Sequence, residues 1–319
     1  MADKLGPALA KPLVERLAII GVGLIGSSIA RATRRMNAAG SVIAADADPK
    51  VRERVRELRL ADEVASTLAE AVHEADLVIF CMPLGAYAAV AEEIAPHLKD
   101  GVVVSDVGSV KSAVIAALAP RLPKGARLVP AHPVAGTEQS GPDAGFETLF
   151  RRRWCILTPA ADADPAAVQL VKNFWEALGS NVEMMSASHH DLVLAITSHV
   201  PHLIAYNIVG TAADLEEVTS SEVMKFSAGG FRDFTRIAAS DPTMWRDVFL
   251  NNKDAVLEVL GRFNEDLAAL QRMIRWGEGD GLFELFARTR AIRRGIIEQG
   301  QETAAPDFGR RAVENGDGR

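Results

Sequence analysis

The chain is poor in cysteine, with two among 319 residues. Their spacing suggests neither a metal site nor a disulfide framework, so no metal is expected. Cys81 and Cys155 each sit inside an apolar run that reads as a strand, and two such thiols need not pair. Basic residues are also in deficit. Against 42 Asp and Glu stand 35 Lys and Arg, a formal net charge of -7. That balance excludes a generic nucleic-acid or anionic-membrane binder, and an anionic ligand must be met by locally placed cations. No unbroken apolar run reaches the roughly 18 residues of a bilayer span. The first 15 residues lack the apolar core of a signal peptide, so a cytoplasmic protein is expected. There is no internal repeat.

What is present suits a globular protein with a real core: 48% of residues are hydrophobic and 24% charged. The length fits two domains. Short apolar runs at 17–21, 42–46, 77–81, 102–106 and 128–131 alternate with helical spacing at 27–36, 51–58 and 86–94. Nearly continuous apolar strands between helices predict a parallel sheet covered on both faces. A further strand, helix and strand follow at 155–158, 166–178 and 182–185. From residue 188 helical periodicity dominates. The expected organisation is therefore an α/β domain over 1–187, with 1–14 loose, and an all-helical domain over 188–298. The polar tail 299–319 is expected to be disordered. Helices at 192–208 and 248–273 are more apolar than one buried stripe requires, which predicts a homodimer through the helical domain.

Gly21, Gly23 and Gly26 follow a predicted strand and open a predicted helix. The first permits a tight turn, the second lets a pyrophosphate approach the backbone, and the third allows close helix–strand packing. The helix N-terminus, at Leu24 and Ile25, then offers free N–H groups to phosphate. Asp46 ends the next strand, where a carboxylate accepts from a ribose 2′-OH and repels a 2′-phosphate. NAD is the expected cofactor and NADP the lesser option, since Lys50 and Arg52 lie just beyond. Cys81, Pro83 and Ser109, at the ends of later strands, complete the candidate cofactor set.

Four segments carry polar chemistry that packing does not require: Asp106 to Lys111, His132 to Glu138, Ser198 to His202, and Gly229 to Arg236, with Trp245 beyond. The strings GVGLIG, DVGSVK, HPVAGTE, SHVPH, FRDFTRIA and DPTMWRD resemble, in order and approximate spacing, those of the prephenate (cyclohexadienyl) dehydrogenase family. The resemblance covers roughly residues 16–295. It implies a Rossmann-type domain followed by a helical dimerisation domain. The implied activity is NAD-dependent oxidative decarboxylation of prephenate, or of arogenate, in tyrosine biosynthesis. It further implies that His132 accepts the proton of the substrate hydroxyl and that Ser109 hydrogen-bonds both. Arg236 would anchor the side-chain carboxylate, with Ser198, His202, Thr137, Glu138, Arg232 and Trp245 around the substrate. Tyrosine is a candidate feedback ligand. Neither a chorismate mutase segment nor an ACT domain is expected.

Several residues read more plainly. His189 and His190 are expected at a surface or helix start, Lys111 as a helix-terminus charge, and Arg151 to Arg153 as a solvated connection. His199 is divided evenly between site and structure. A 3-hydroxyacid dehydrogenase or imine reductase shares the two-domain pattern, but the hydroxyacid enzymes would present a lysine in the helix at 188–210. Histidines stand there instead.

Overall fold

The computed structural model describes residues 6–216 and 228–298. The tail expected to be disordered at 299–319 and the first five residues lie outside the described residues. The rest of the stretch expected to be loose is tied down. Leu9 N–H donates to Met36 O at 2.8 Å and Leu13 N–H to Ala38 O at 3.0 Å.

Six parallel strands form the main sheet in the order β3-β2-β1-β4-β5-β6. They are β1 (Val14–Ile20), β2 (Ala39–Ala45), β3 (Glu63–Val64), β4 (Leu77–Phe80), β5 (Val103–Asp106) and β6 (Arg127–Leu128). The near-continuous apolar runs have a simple cause, because alternate residues enter two different cores. Leu17, Ile19, Leu77 and Ile79 pack on one face with Ile29, Phe174 and Trp175. Ala18, Ile20, Val78 and Phe80 pack on the other with Tyr87, Ile94 and Leu118. Strand order reverses between β1 and β4. The crevice at their C-terminal ends is where this topology binds ligands.

The run expected as one strand at 128–131 is two. The chain leaves the main sheet after Val129, whose N–H donates to Val104 O. Pro130 has no N–H to continue a ladder. β7 (Ala131–Pro133) then joins a second sheet, antiparallel to β8 (Trp154–Leu157), which is parallel to β9 (Asn181–Met184). This exchange of sheets carries His132 past the C-terminal end of β5, where Asp106 Oδ1 accepts from Ala131 N–H.

The change to helices falls between β9 and the helix Ala187–Leu194, where the Ser186 side chain caps His189 N–H. A π turn over Ala195–His199 links this helix to the next, Val200–Glu216. Together these run as one helix, whose Ala187–Leu215 stretch of 29 residues holds an 18-residue window of mean hydropathy 1.5, long and apolar enough to cross a membrane although no unbroken apolar run exists. Its buried His190, Asp191 and His199 are hydrogen-bonded to other elements. Short helices at Gly229–Thr235 and Pro242–Asn251 precede two long ones, Lys253–Trp276 and Gly279–Glu298.

Packing divides the chain after Val259. The first unit holds both sheets and all the candidate site residues. The second, from Leu260, is helical, with Ile274, Trp276, Phe283 and Phe286 exposed.

Candidate active site

The glycine turn is built as its spacing requires. Gly21 has φ of +94°, and a Cβ there would lie 2.7 Å from Met82 N. A Cβ on Gly26 would sit 2.1 Å from Gly21 O, whereas nothing lies within 4 Å of one on Gly23. The space above Gly23 is therefore open to a ligand. The helix Leu24–Met36 begins there with no side-chain cap, leaving its first N–H groups for an anion. Asp46 accepts from Val22 N–H at 2.8 Å and from Asp48 N–H at 2.9 Å. These bonds fix the carboxylate beside the turn, and each oxygen keeps a lone pair for a ribose hydroxyl. The crevice thus suits a dinucleotide. Arg52 is nearer than the sequence suggested: its guanidinium donates to Asp46 O at 2.6 Å and Ala47 O at 3.1 Å.

His132 is buried, with its Nδ1 2.8 Å from His190 Nε2. His190 Nδ1 in turn lies 2.8 Å from Asp191 Oδ1. Burial pushes the pKa of His132 well below the ordinary value, and neighbouring His190, Lys111 and His199 push the same way. The imidazole is neutral at pH 7. Its Nε2 has no hydrogen-bond partner among the described residues and is not sealed off. Of the two readings expected for His190, helix start and surface, the first holds, since it lies in the first turn of the helix Ala187–Leu194, but it is fully buried. Ser109 is half-buried, but the hydrogen bond of His132 goes to His190 and not to Ser109. The expected serine–histidine bond is absent among the described residues.

Lys111 stands at the start of the helix Lys111–Leu118, as expected, but its charge does not face solvent. It is wholly buried, with Nζ 2.6 Å from Asp106 Oδ2 and 2.6 Å from Ala131 O. Asp106 Oδ1 accepts from Ala131 N–H at 3.1 Å. The pair therefore clamps the residue preceding His132.

The third and fourth segments meet around Trp245. Its ring stacks on His202 with centroids 3.7 Å apart and lies edge-on to His199 at 6.1 Å. His202 Nδ1 donates to Ser198 O at 2.9 Å, which leaves Nε2 as an acceptor. Burial lowers the pKa of His202, and the nearby Arg236 guanidinium lowers it further. His199 is buried and held by Asn252 Nδ2, 3.0 Å from its Nδ1; burial brings its pKa to about 4. Arg236 pairs with Glu138 at 2.9 Å, joining the segment after β7 to the one at 229–236. His199 Nε2, Trp245 Nε1 and Arg236 Nε are buried without partners. Such donors are what the oxygens of a polar ligand or an ordered water satisfy.

The four segments thus converge. Thr137 and Arg232 are the more peripheral candidates: both are exposed, and Thr137 caps only Gln139 N–H. Sequence inspection missed His190, Asp191 and Asn252. The one signal for Asp191 was a carboxylate beside a histidine inside an apolar helix.

Comparison with known proteins gives a consistent picture. Residues 29–184 match the prephenate dehydrogenase nucleotide-binding domain, and residues 186–288 match the prephenate dehydrogenase dimerization domain. A cyclohexadienyl dehydrogenase from Zymomonas mobilis is 46% identical over 279 residues, covering 88% of this chain and 95% of that protein. The crystal structure of prephenate dehydrogenase from A. aeolicus in complex with hydroxyphenyl propionate and NAD+ is similar at a TM-score of 0.81 and 32% identity. That match covers 88% of this chain and 98% of the other. Synechocystis arogenate dehydrogenase follows at a TM-score of 0.74 and 27% identity, with 88% and 99% covered.

Proposed function

The chain belongs to the prephenate dehydrogenase family, and from that premise we propose that it oxidatively decarboxylates prephenate to 4-hydroxyphenylpyruvate, with arogenate as a second substrate. The observation that carries the mechanism is the buried, neutral His132 with a bare Nε2 beside the crevice.

Bound NAD supplies the acceptor for the hydride that leaves the hydroxyl-bearing ring carbon. His132 Nε2 takes the hydroxyl proton as that carbon becomes carbonyl-like, and returns it to the ring oxygen as the ring becomes aromatic. The electrons of the bond to the departing carbon dioxide complete the aromatic ring, so the step runs one way. Arg236 holds the side-chain carboxylate, with Glu138 keeping its guanidinium in place until the substrate arrives. His202 offers an acceptor at Nε2, and Trp245 supports its ring. Ser109, Ser198 and Thr137 complete the polar lining, while Leu24, Ile25, Cys81 and Pro83 stay assigned to the cofactor side.

A hydroxyacid dehydrogenase is not favoured, because the helix at 188–210 carries no lysine, and the family match favours neither it nor an imine reductase. The same reading places the enzyme in the cytoplasm as a homodimer. Its helical domain, beginning near residue 188, supplies exposed apolar side chains such as Trp276 and Phe283 for the contact. Tyrosine would compete at the substrate site. The test is purified protein with NAD and prephenate, monitored for reduced cofactor and 4-hydroxyphenylpyruvate. Absence of both products sinks the proposal.

A further inference from the structure

We propose that His190 and Asp191 are positioning residues that lock His132 into the tautomer protonated on Nδ1, so that Nε2 presents a lone pair to the substrate. The inference rests on the assignment of His132 as proton acceptor and says how that acceptor is set.

The chain of reasoning begins at Asp191, because an ionised carboxylate can only accept. Its Oδ1 takes Lys111 N–H at 2.7 Å and its Oδ2 takes Ser112 N–H at 2.9 Å. Its own carbonyl takes Asn252 Nδ2 at 2.8 Å. The side chain therefore cannot turn away from His190. At 2.8 Å from Oδ1, His190 Nδ1 must carry a proton. Neutral His190 then has a lone pair on Nε2, and at 2.8 Å His132 Nδ1 must supply the hydrogen between them. The rings meet nearly edge-on, 5.0 Å apart at 66°, which brings the two nitrogens together without stacking. His132 Nε2 is bare by elimination.

The competing state is a doubly protonated His190. It would donate from Nε2 to His132 Nδ1 and force the proton of His132 onto Nε2, destroying the acceptor. The groups acting on His190 are Asp191, Asp106, Lys111, His132 and His199. Burial and the Lys111 ammonium oppose a second proton, whereas Asp191 and Asp106 favour one, and the balance keeps His190 neutral. Asp191 has a second consequence. By binding the first N–H groups of the helix Lys111–Leu118, it ties the loop that bears Ser109 to the helix that orients His132.

The decisive measurement is the ¹⁵N spectrum of histidine-labelled protein, with His132 assigned by the loss of its signals in His132→Asn. We expect His132 protonated on Nδ1 and not on Nε2. His190→Phe keeps an aromatic ring but removes the acceptor. It should move the His132 proton to Nε2 and lower kcat at least about 100-fold, the scale of losing a general base, while KM and NAD affinity stay within about threefold. His190→Gln restores an acceptor oxygen and should recover kcat to within about tenfold of wild type. A wild-type spectrum with the proton on Nε2 overturns the proposal without any variant. So does a His190→Phe enzyme with kcat within about threefold of wild type. If the spectrum is as expected but His132→Asn retains full turnover, the relay stands and the role given to His132 falls.

Discussion

Lys111 and Asp106 form an ion pair 2.6 Å long with both side chains entirely buried, and the same ammonium holds Ala131 O, one residue before His132. A pair so placed costs desolvation, and breaking it leaves an uncompensated charge. Lys111→Met should therefore destabilise by about 3–5 kcal/mol, seen as a lower urea midpoint with an unchanged slope. Adding Asp106→Asn should recover part of the loss. No change in midpoint for the single variant would show that the pair contributes nothing net.

His132→Asn should fold and bind NAD but lose about 10²–10⁴-fold in kcat. The wild-type pH profile should carry the same signature. Only neutral imidazole accepts a proton, and burial holds the pKa of His132 well below 6.5. The acid limb of the rate should thus lie below that value, with a flat profile near pH 7. A limb at or above the ordinary histidine value would contradict the burial of this ring.

Asp46 should give NAD a higher kcat/KM than NADP, and Asp46→Ala should narrow the ratio. The placement of Arg52 on the carbonyls of Asp46 and Ala47 sets a cation beside the discriminating carboxylate. Equal efficiency with both cofactors in the wild type would mean that Arg52 outweighs Asp46.

Arg236→Ala should mainly raise KM, by about 10- to 150-fold, from the roughly 1.5–3 kcal/mol of a charged hydrogen bond. Arg232 stands four residues before it, so two cations favour a carboxylate over the ammonium of arogenate. Because Arg232 is exposed, screening limits its share. Prephenate should be preferred by about one order of magnitude by this Coulomb argument, and Arg232→Gln should narrow the gap. A wild-type preference for arogenate would refute it.

His132, His190, His199 and His202 all have folded pKa values depressed by burial. Between those values and 6.5 the unfolded chain binds more protons, so stability rises with pH through that window. It is fully present above 6.5 and is lost as pH falls. For His199, whose pKa is about 4, the loss is about 3 kcal/mol at about 1.4 kcal/mol per unit. Urea midpoints from pH 7 to 4 check the slope, and His199→Asn should flatten it. A pH-independent midpoint would mean that these rings titrate normally.

The sheet was legible because both its faces are buried, which writes each strand as an apolar run. Leu17 to Ile20 and Leu77 to Phe80 show this directly. Thr67 and Glu70 spell the capping box of the helix Leu68–Val72 and could have been read. His190 could not, because its role arises from contact with a residue 58 positions away. The same holds for Lys111, which read only as a helix-terminus charge until Ala131 and Asp106 were placed around it. The expectation of a Ser109–His132 bond came from resemblance alone, and His190 occupies that role toward His132 instead.

The π turn at Ala195–His199 carries a consequence for angular phase. Successive residues of an α-helix are about 100° apart, so His190 and His199 would face in opposite directions, about 180° from each other, on an unbroken one. The turn closes by Val200 N–H donating to Ala195 O, five residues back, and so absorbs one residue. That leaves the two rings about 80° apart on the same helical count, where Asn252 reaches both Asp191 O and His199 Nδ1. One surplus residue thus acts as a rotational offset between the part of the helix that sets His132 and the part that carries His202. Winding the turn into a regular α-helix with every residue kept would swing everything downstream by about 100°, dismantling the site without removing any of its side chains, whereas deleting the surplus residue would keep the phase.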